Sequence, residues 1–303
     1  MTNVTNRVSS FAVHSNLLKD VMRTQSSIYD FQNQLSSGLK STTYSGIAGS
    51  VEMFTDLGAK VRRADRYIEN ITIATTRLNT INRSLDDVVQ QAENMKALMT
   101  QWRSVDSKNI NATPQFLQAQ QALGAALNVS MEGRYLFGGT KTNTAPVDTN
   151  FQPPVTFGVA DAGYYNGSTE NMTFRAQETY EFSYNVRADN PALQKIFTAI
   201  SMGIQADGEQ SDEKMVAALD MLSEGLKEVL AVQAEVNVNV LGLKDIAARH
   251  EATQTYYRGL TDDVIKTDIV EVSTKVAYHQ TIIQASYQAF AAINSLKLAD
   301  YLR

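Results

Sequence analysis

Residues 57–99 read LGAKVRRADRYIENITIATTRLNTINRSLDDVVQQAENMKALM. Within that run Leu57, Val61, Ala64, Ile68, Ile71, Thr75, Leu78, Asn82, Leu85, Val89, Ala92, Lys96 and Met99 recur at alternating spacings of four and three. Such alternation holds one stripe of a helix against a partner helix. The run contains no proline, so nothing removes a donor or forces a kink. A tract from about Gly49 to Met99 would make a rod of roughly 75 Å at 1.5 Å per residue. A helix of that length implies a bundle or coiled coil.

Working outward, a helix is predicted from about Pro114 to Tyr135, with Phe116, Leu123 and Leu127 on one face and Pro114 in the first turn. From Gly138 to about Asp189 the character changes. Pro146, Pro153, Pro154 and Gly158 interrupt it, and short β-type runs follow. Tyr164-Tyr165, an Asn166-Gly167 turn and Met172-Thr173-Phe174 read as a hairpin. Tyr180, Phe182, Tyr184 and Val186 alternate as a half-buried strand does. Helical pattern resumes at Asn190-Pro191, an N-cap with proline at N1. It passes Phe197 and Ile200, breaks at Asp207-Gly208, and resumes from about Asp212 almost to the end. Thr261-Asp262-Asp263 reads as a further N-cap with acids in the first turn.

The two ends of the chain fit each other. Phe11, Leu18, Gln25 and Gln32 form an a series, and His14, Val21, Ile28 and Leu35 a d series. Ser36-Ser37-Gly38 would stop that helix. The last segment has a positions at Ile269, Val276, Ile283 and Phe290, and d positions at Val272, His279, Ser286 and Ile293. Antiparallel heptads set a against d′. Three registers satisfy them, and the flush one is preferred: it pairs Phe11 with Ile293, Leu18 with Ser286, Gln25 with His279 and Leu35 with Ile269. The polar seam positions and the small residues Ala285, Ala289, Ala291 and Ala292 suit a segment that meets several neighbours; a plain coiled-coil stalk fits as well.

Composition narrows the function classes. The absence of cysteine among 303 residues excludes disulfides, thiolate metal sites and cysteine nucleophiles. A net charge of −5, with no long basic stretch, gives no general attraction for nucleic acid or anionic lipid. No run approaches the roughly 18 apolar residues of a membrane span. The opening MTNVTNRVSS has neither a basic n-region nor an apolar core. The expectation is a cytoplasmic protein, or one exported by a route that needs no such signal.

The tail Gln284-Ala285-Ser286-Tyr287-Gln288-Ala289-Phe290, followed by Ile293, Leu296, Leu298, Asp300, Tyr301 and Leu302, resembles the C-terminus of the flagellar hook-associated protein 3 family. Gly133-Arg134-Tyr135-Leu136-Phe137-Gly138-Gly139 is similar to that family at the point where its third helix gives way to an inserted domain. Ala234-Glu235-Val236-Asn237 and Gln34-Leu35-Ser36-Ser37-Gly38 resemble its return helix and the end of its first helix. The chain departs from the family after that first helix. Ser41-Thr42-Thr43-Tyr44-Ser45-Gly46 stands where a Ser-Asp-Asp-Pro-like turn is usual.

The resemblance implies a mainly α, elongated flagellin-like rod with a small β-rich insertion. Residues 1–45 with 261–303 would be the terminal antiparallel coiled coil, 46–137 with 190–260 the long-helix rod, and 138–189 the insertion. It implies export through the flagellar type III channel with a dedicated chaperone. Outside the cell the chain would form a ring of copies between hook-associated protein 1 and flagellin, joining hook to filament. The alternatives are a flagellin-type filament subunit and a cytosolic coiled-coil scaffold. The expected assembly residues are Phe11, Leu18, Val21, Ile28, Leu35, Val276, Ile283, Phe290 and Ile293, with Leu298, Tyr301 and Leu302 in the tail. Tyr135, Leu136, Phe137, Gly138 and Gly139 are the expected junction between rod and insertion.

No enzyme, cofactor or metal site is predicted. His14, His250 and His279 lie far apart, without metal-ligand spacing. Asp262, Asp263, Asp268 and Glu271 lack the calcium-loop pattern, and no Gly-Lys-Ser/Thr follows Gly138-Gly139. Asn-x-Ser/Thr triplets at Asn70, Asn128, Asn166 and Asn171 read as chance. Lys60, Arg62, Arg63, Arg66 and Arg77 read as a solvated face or subunit salt bridges. Trp102 reads as an interhelical anchor.

Overall fold

The computed structural model describes residues 2–104, 111–149, 156–178, 180–184 and 186–301; the side chains of residues 2–11, 13, 14, 184 and 293–301 lie outside that description. Helix α1 spans Thr2–Ser37, and a 3₁₀ stretch, Tyr44–Ser50, leads into α2, Val51–Trp102. Then come α3 (Thr113–Leu127), β1 (Ser130–Met131), β2 (Arg134–Tyr135), β3 (Met172–Arg175) and β4 (Glu181–Tyr184). Helices α4 (Pro191–Glu209), α5 (Asp212–Ile265) and α6 (Ile269–Tyr301) complete the chain. The protein is mainly helical, with two small antiparallel hairpins. It divides into two compact units, Met1–Arg62 with Thr253–Arg303, and Arg63–Ala252.

The second unit is built on the stripe of α2. Ile71, Ala74, Leu78, Ile81, Leu85, Val88, Ala92, Met95, Met99 and Trp102 are buried. Four of the thirteen expected stripe residues are therefore out of phase: Thr75, Asn82 and Val89 are only half-buried and Lys96 is exposed. Both phases satisfy a three-four alternation. The helix turns inward the one with Ala74, Ile81 and Met95, because burying Thr75, Asn82 and Lys96 would strip water from polar groups. The displaced flank stays polar. Asn82 Nδ2 donates to Asn237 Oδ1 at 3.1 Å, and Gln233 Nε2 to Asp86 Oδ1 at 2.7 Å. Phe116, Leu123 and Leu127 of α3, Ile196 and Ile200 of α4, and Leu222, Val229 and Val236 of α5 close the core.

Trp102 anchors three helix ends. Its Nε1–H donates to Asp207 Oδ1 at 2.7 Å. The other carboxylate oxygen accepts from Thr113 N at 2.8 Å and from Thr113 Oγ1 at 2.6 Å. Ala112, at the N-cap position of α3, offers no side-chain acceptor. A carboxylate from the end of α4 supplies the missing cap, where the helix dipole favours a negative charge. α4 starts as its sequence predicts: Asn190 Oδ1 accepts from Ala192 N at 3.0 Å, with Pro191 next in line. It ends at Gln210, which takes a left-handed φ of 54°.

Three expectations are corrected. α3 ends at Leu127, not near Tyr135, because Asn128 turns its amide to a neighbouring segment. Asn128 Nδ2 donates to Val147 O at 2.8 Å, and Val147 N donates to Asn128 Oδ1 at 2.9 Å. The chain then reverses through Glu132 and Gly133, both with positive φ, the signature of a type I′ hairpin turn. Second, Met172–Arg175 pairs with Glu181–Tyr184, not with Tyr164-Tyr165. Phe174 and Phe182 meet edge-on at 6.3 Å across that pair, which outweighs the local turn signal of Asn166-Gly167. Tyr165 instead bridges to Val147. Third, Asp262 and Asp263 fall in the last turn of α5. The cap of the next helix is Asp268, whose Oδ1 accepts from Val270 N at 2.9 Å and Glu271 N at 3.1 Å.

The inserted segment shares the core of the second unit. Phe137, Val147, Tyr164, Phe182 and Val186 join the same buried cluster as α2 and α4. Tyr164 stacks on Phe197 at 4.2 Å, and its hydroxyl donates to Ala188 O at 2.7 Å. Burial, reinforced by Asp189 and Asp161, pushes the Tyr164 hydroxyl well above its usual pKa. Burial first, and then Asp189, raises Tyr165 to about 12.

Two predictions follow from this core. Gly139 has φ of 63°, and a Cβ there would stand 2.4 Å from Ser168 O and 2.7 Å from Glu170 O. Gly139→Ala is expected to cost about 3 kcal/mol or more. Gly133→Ala, where a Cβ meets nothing within 4 Å, is expected to cost about 1 kcal/mol. Urea titration of the pair checks the gap; equal losses would show that φ alone sets the cost. Asp207→Ala strands three donors beside a buried indole and is expected to cost about 2–4 kcal/mol. The exposed Asp220→Ala is expected to stay within about 0.5 kcal/mol, with the denaturant slope unchanged in both.

Candidate functional site

Two regions carry the expected functional residues. The first is the pair formed by α1 and α6 in the first unit. Its seam shows half-buried Leu17, Val21, Thr24, Ile28, Phe31 and Leu35 on α1. On α6, Val272 is buried, and Val276, His279, Ile283, Ser286 and Phe290 are half-buried. The α6 heptad is the one its sequence predicts, except that Ile269 is 60% exposed. On α1 the described d positions Val21, Ile28 and Leu35 are as predicted, while the inward a series is Leu17, Thr24 and Phe31 in place of Leu18, Gln25 and Gln32. Phe31 was the missed signal. An aromatic ring in the seam removes more apolar surface from water than Gln32 could.

The register also differs from the flush one. Phe31 meets His279 with ring centroids 5.4 Å apart, and Gln25 Nε2 donates to Tyr287 Oη at 3.0 Å. The flush pairing would have set Gln25 against His279, so α6 lies about one heptad further along α1, in one of the registers its heptads also allow. His279 Nδ1 is buried with no hydrogen-bond partner among the described residues. Lys275 Nζ stands 5.9 Å over the Phe31 ring.

Val21, Ile28, Leu35, Val276, Ile283 and Phe290 thus face the pair's own seam, whereas Leu18 is 53% exposed. Leu18 shares an outer stripe with Met22 (61% exposed) and Tyr29 (68% exposed), at the spacing of one helix face. Gln25 lies on that stripe too, and its bond to Tyr287, itself 52% exposed, extends the strip onto α6. Phe11, Ile293, Leu298 and Tyr301 fall in the helical ends whose side chains lie outside the described residues, and Leu302 lies outside them altogether.

The second region is the run Tyr135–Gly139 in the second unit. Four of its five residues are each tied to a different segment. Tyr135 N donates to Thr142 O at 2.9 Å, and Leu136 N to Val129 O at 3.2 Å. Phe137 O accepts from Ala188 N at 3.0 Å, and Gly138 O from Ser168 N at 2.9 Å. A Cβ on Gly138 would sit 2.5 Å from Lys141 O. The run is a collar in which backbone reaches backbone. Beside it lies a small cleft lined by Arg77, Arg134, Tyr135, Leu136, Met172 and Val186. Arg77 pairs with Glu132 there at 3.1 Å.

Among the described residues, no group of three His, Asp or Glu side chains comes together to hold a metal ion. No helix among them is long and apolar enough to cross a membrane. Of the remaining sequence-singled residues, His250 stacks on Tyr67 at 5.0 Å, with its Nε2 3.1 Å from Ala176 O. Asn128 spends its amide on Val147.

Residues 8–142 match the bacterial flagellin N-terminal helical region. Over that stretch the chain is flagellin-like. Over 96% of its length it is 21% identical to flagellar hook-associated protein 3 of Escherichia coli K12, of which the alignment covers 98%. A Vibrio parahaemolyticus protein, provisionally described as a flagellar hook-associated protein, has a similar fold. Its TM-score is 0.63 at 16% identity, covering 73% of this chain and all of that one. FlgL of Bacillus cereus gives a TM-score of 0.51 at 15% identity, with 64% of this chain and 98% of that one covered. The sequence matches support a place in the flagellin-like and flagellar hook-associated superfamily, and the two solved structures share the fold.

The observed seam generates its own test. The chain contains no cysteine, so introduced pairs report cleanly. Thr24→Cys with Ser286→Cys is expected to cross-link under mild oxidation, and Leu18→Cys with Ser286→Cys to remain reduced. Efficient cross-linking of the second pair alone would restore the flush register.

Proposed function

We propose that this protein is a structural component of the bacterial flagellum at the junction between hook and filament. The observation that carries this reading is the end-to-end correspondence with hook-associated protein 3 of Escherichia coli, which spans nearly all of both chains. The tail from Gln284 to Leu302 and the run Gly133–Gly139 point the same way. In this reading the role is architectural, not enzymatic. Its partners are further copies of itself in a ring, hook-associated protein 1 on one side and flagellin on the other. The protein leaves the cell through the flagellar type III channel, carried there by an export chaperone.

Physical considerations support an assembly role. The terminal helix pair buries few side chains completely; Val272 is the buried apolar residue of α6 among those described. Leu18, Met22, Tyr29 and Tyr287 remain exposed on one strip. Apolar area left in water at about 25 cal/mol per Å² is available to a neighbouring subunit.

A filament subunit is the second reading, favoured by the match of residues 8–142 to the flagellin N-terminal region. Deletion of the gene in a flagellated host separates the two. Hooks without filaments, with unassembled flagellin in the medium, are expected from loss of a junction protein. Loss of the filament protein itself would mean a filament subunit, and normal filaments would reject the junction role.

A further inference from the structure

Two linkers join the terminal helices to the remainder of the first unit: residues 38–43 after α1, and Lys266, Thr267 and Asp268 between α5 and α6. They run side by side. Lys40 N donates to Ile265 O at 2.7 Å, and Thr267 N donates to Gly38 O at 3.0 Å, flanking an antiparallel bridge between Leu39 and Lys266. Thr267 Oγ1 adds a longer bond of 3.4 Å to Gln34 Oε1.

The end of α5 is electrostatically unusual. Its last turn carries Asp262 and Asp263 and no basic residue, although the dipole there is already negative. Two cations answer this. Lys266 Nζ, at the start of the linker, lies 2.6 Å from Asp262 Oδ2, four residues back in the last turn of α5. Lys40 comes from the other linker, and its Nζ donates to Asp263 O at 2.7 Å and to Val264 O at 3.0 Å. It fills the C-terminal capping role that a lysine of the helix itself would normally take.

We propose that Lys40 is an electrostatic latch: by capping the acidic end of α5 it closes the two linkers into one clasp, and its release lets the α1–α6 pair swing within the first unit. Each terminal helix has a boundary device that does not involve Lys40. Gly38, with φ of 71°, ends α1, and Asp268 caps α6. Opening the clasp therefore leaves both helices intact. What remains without Lys40 is a bridge with two main-chain hydrogen bonds and the long Thr267–Gln34 contact, in linkers that are at most half-buried, and isolated ladders of that size are marginal in water. A charge-assisted double bond from one ammonium changes that balance, and salt weakens it. The inference is independent of what the protein assembles with.

The test uses the full chain, with spin labels on introduced cysteines at exposed positions. Ser26→Cys on α1 and Ala59→Cys on α2 span the clasp. Ser26→Cys with Gln280→Cys spans only the α1–α6 pair. Pulsed dipolar spectroscopy is expected to give one narrow distance for each in the parent. Lys40→Met, which keeps the aliphatic stem, is expected to broaden the first distribution and leave the second narrow, while Lys40→Arg keeps both narrow. Should Lys40→Met fail to fold, hydrogen exchange on the unmutated chain serves instead. The Lys40 and Thr267 amides are expected to exchange about tenfold faster together as salt rises from about 0.05 to 0.5 M. A first distribution unchanged in Lys40→Met overturns the latch. So does broadening of both pairs, or exchange at those two amides that is insensitive to salt.

Discussion

The buried face of α2 from Ile71 to Trp102 is the surface on which the second unit depends, because it is long enough to serve several partners at once. Helices α3, α4 and α5 and the inserted segment contribute to the same buried cluster. A stripe in contact with one helix alone could stay narrow. Shared among several elements it broadens, and the flanking Thr75, Asn82 and Val89 become half-buried. The Asn82–Asn237 and Gln233–Asp86 hydrogen bonds then satisfy part of that flank, while Thr75 Oγ1 and Asn82 Oδ1 are buried with no partner among the described residues. Such pairs tie α2 to α5 at defined points, as a polar residue in a helical seam fixes register.

The ends of these elements are held by groups distant in sequence. Asp207 caps α3 from the end of α4 and takes up the Trp102 indole in the same carboxylate. Asn128 stands in for a strand partner to Val147. In the collar, Phe137 and Gly138 accept from Ala188 and Ser168. Each device satisfies a main-chain group that would otherwise be buried without a partner. The inserted segment, with little regular structure, thereby becomes part of a single core.

The first unit follows a different economy of contacts. Its seam has polar members, Thr24, Ser286 and His279, and its outer strip shows Leu18, Met22 and Tyr29 to water. Single pairs of helices gain little from propensity alone and rely on tertiary packing. A unit with a thin interior and an exposed apolar strip is suited to complete its burial against other molecules. That property fits the structural role proposed for this protein.

Much of the architecture was legible in the sequence because it rests on periodicity and on local chemistry. The long helices, the stop at Gly38, the cap at Asn190 and the α6 heptad needed only neighbours within a turn or two. The expectation of a junction at Tyr135–Gly139 rests on the family resemblance and not on local chemistry. The phase of a stripe was harder to read. Patterns beginning at Leu17 or Leu18, and including Ala74 or Thr75, both alternate threes and fours, and only the partner surface selects the more apolar one. Register, strand partner and trans-acting caps were beyond local reading altogether. The heptads of α1 and α6 admit several offsets, Met172–Arg175 could pair with either flanking segment, and nothing near Ala112 or Asp263 announces Asp207 or Lys40. By itself the sequence determined which segments are helical and which faces are apolar, since those follow from side chains a few residues apart. The tertiary structure decided how those faces are phased and which distant groups close their ends, because those choices depend on atoms that meet only after the chain has folded.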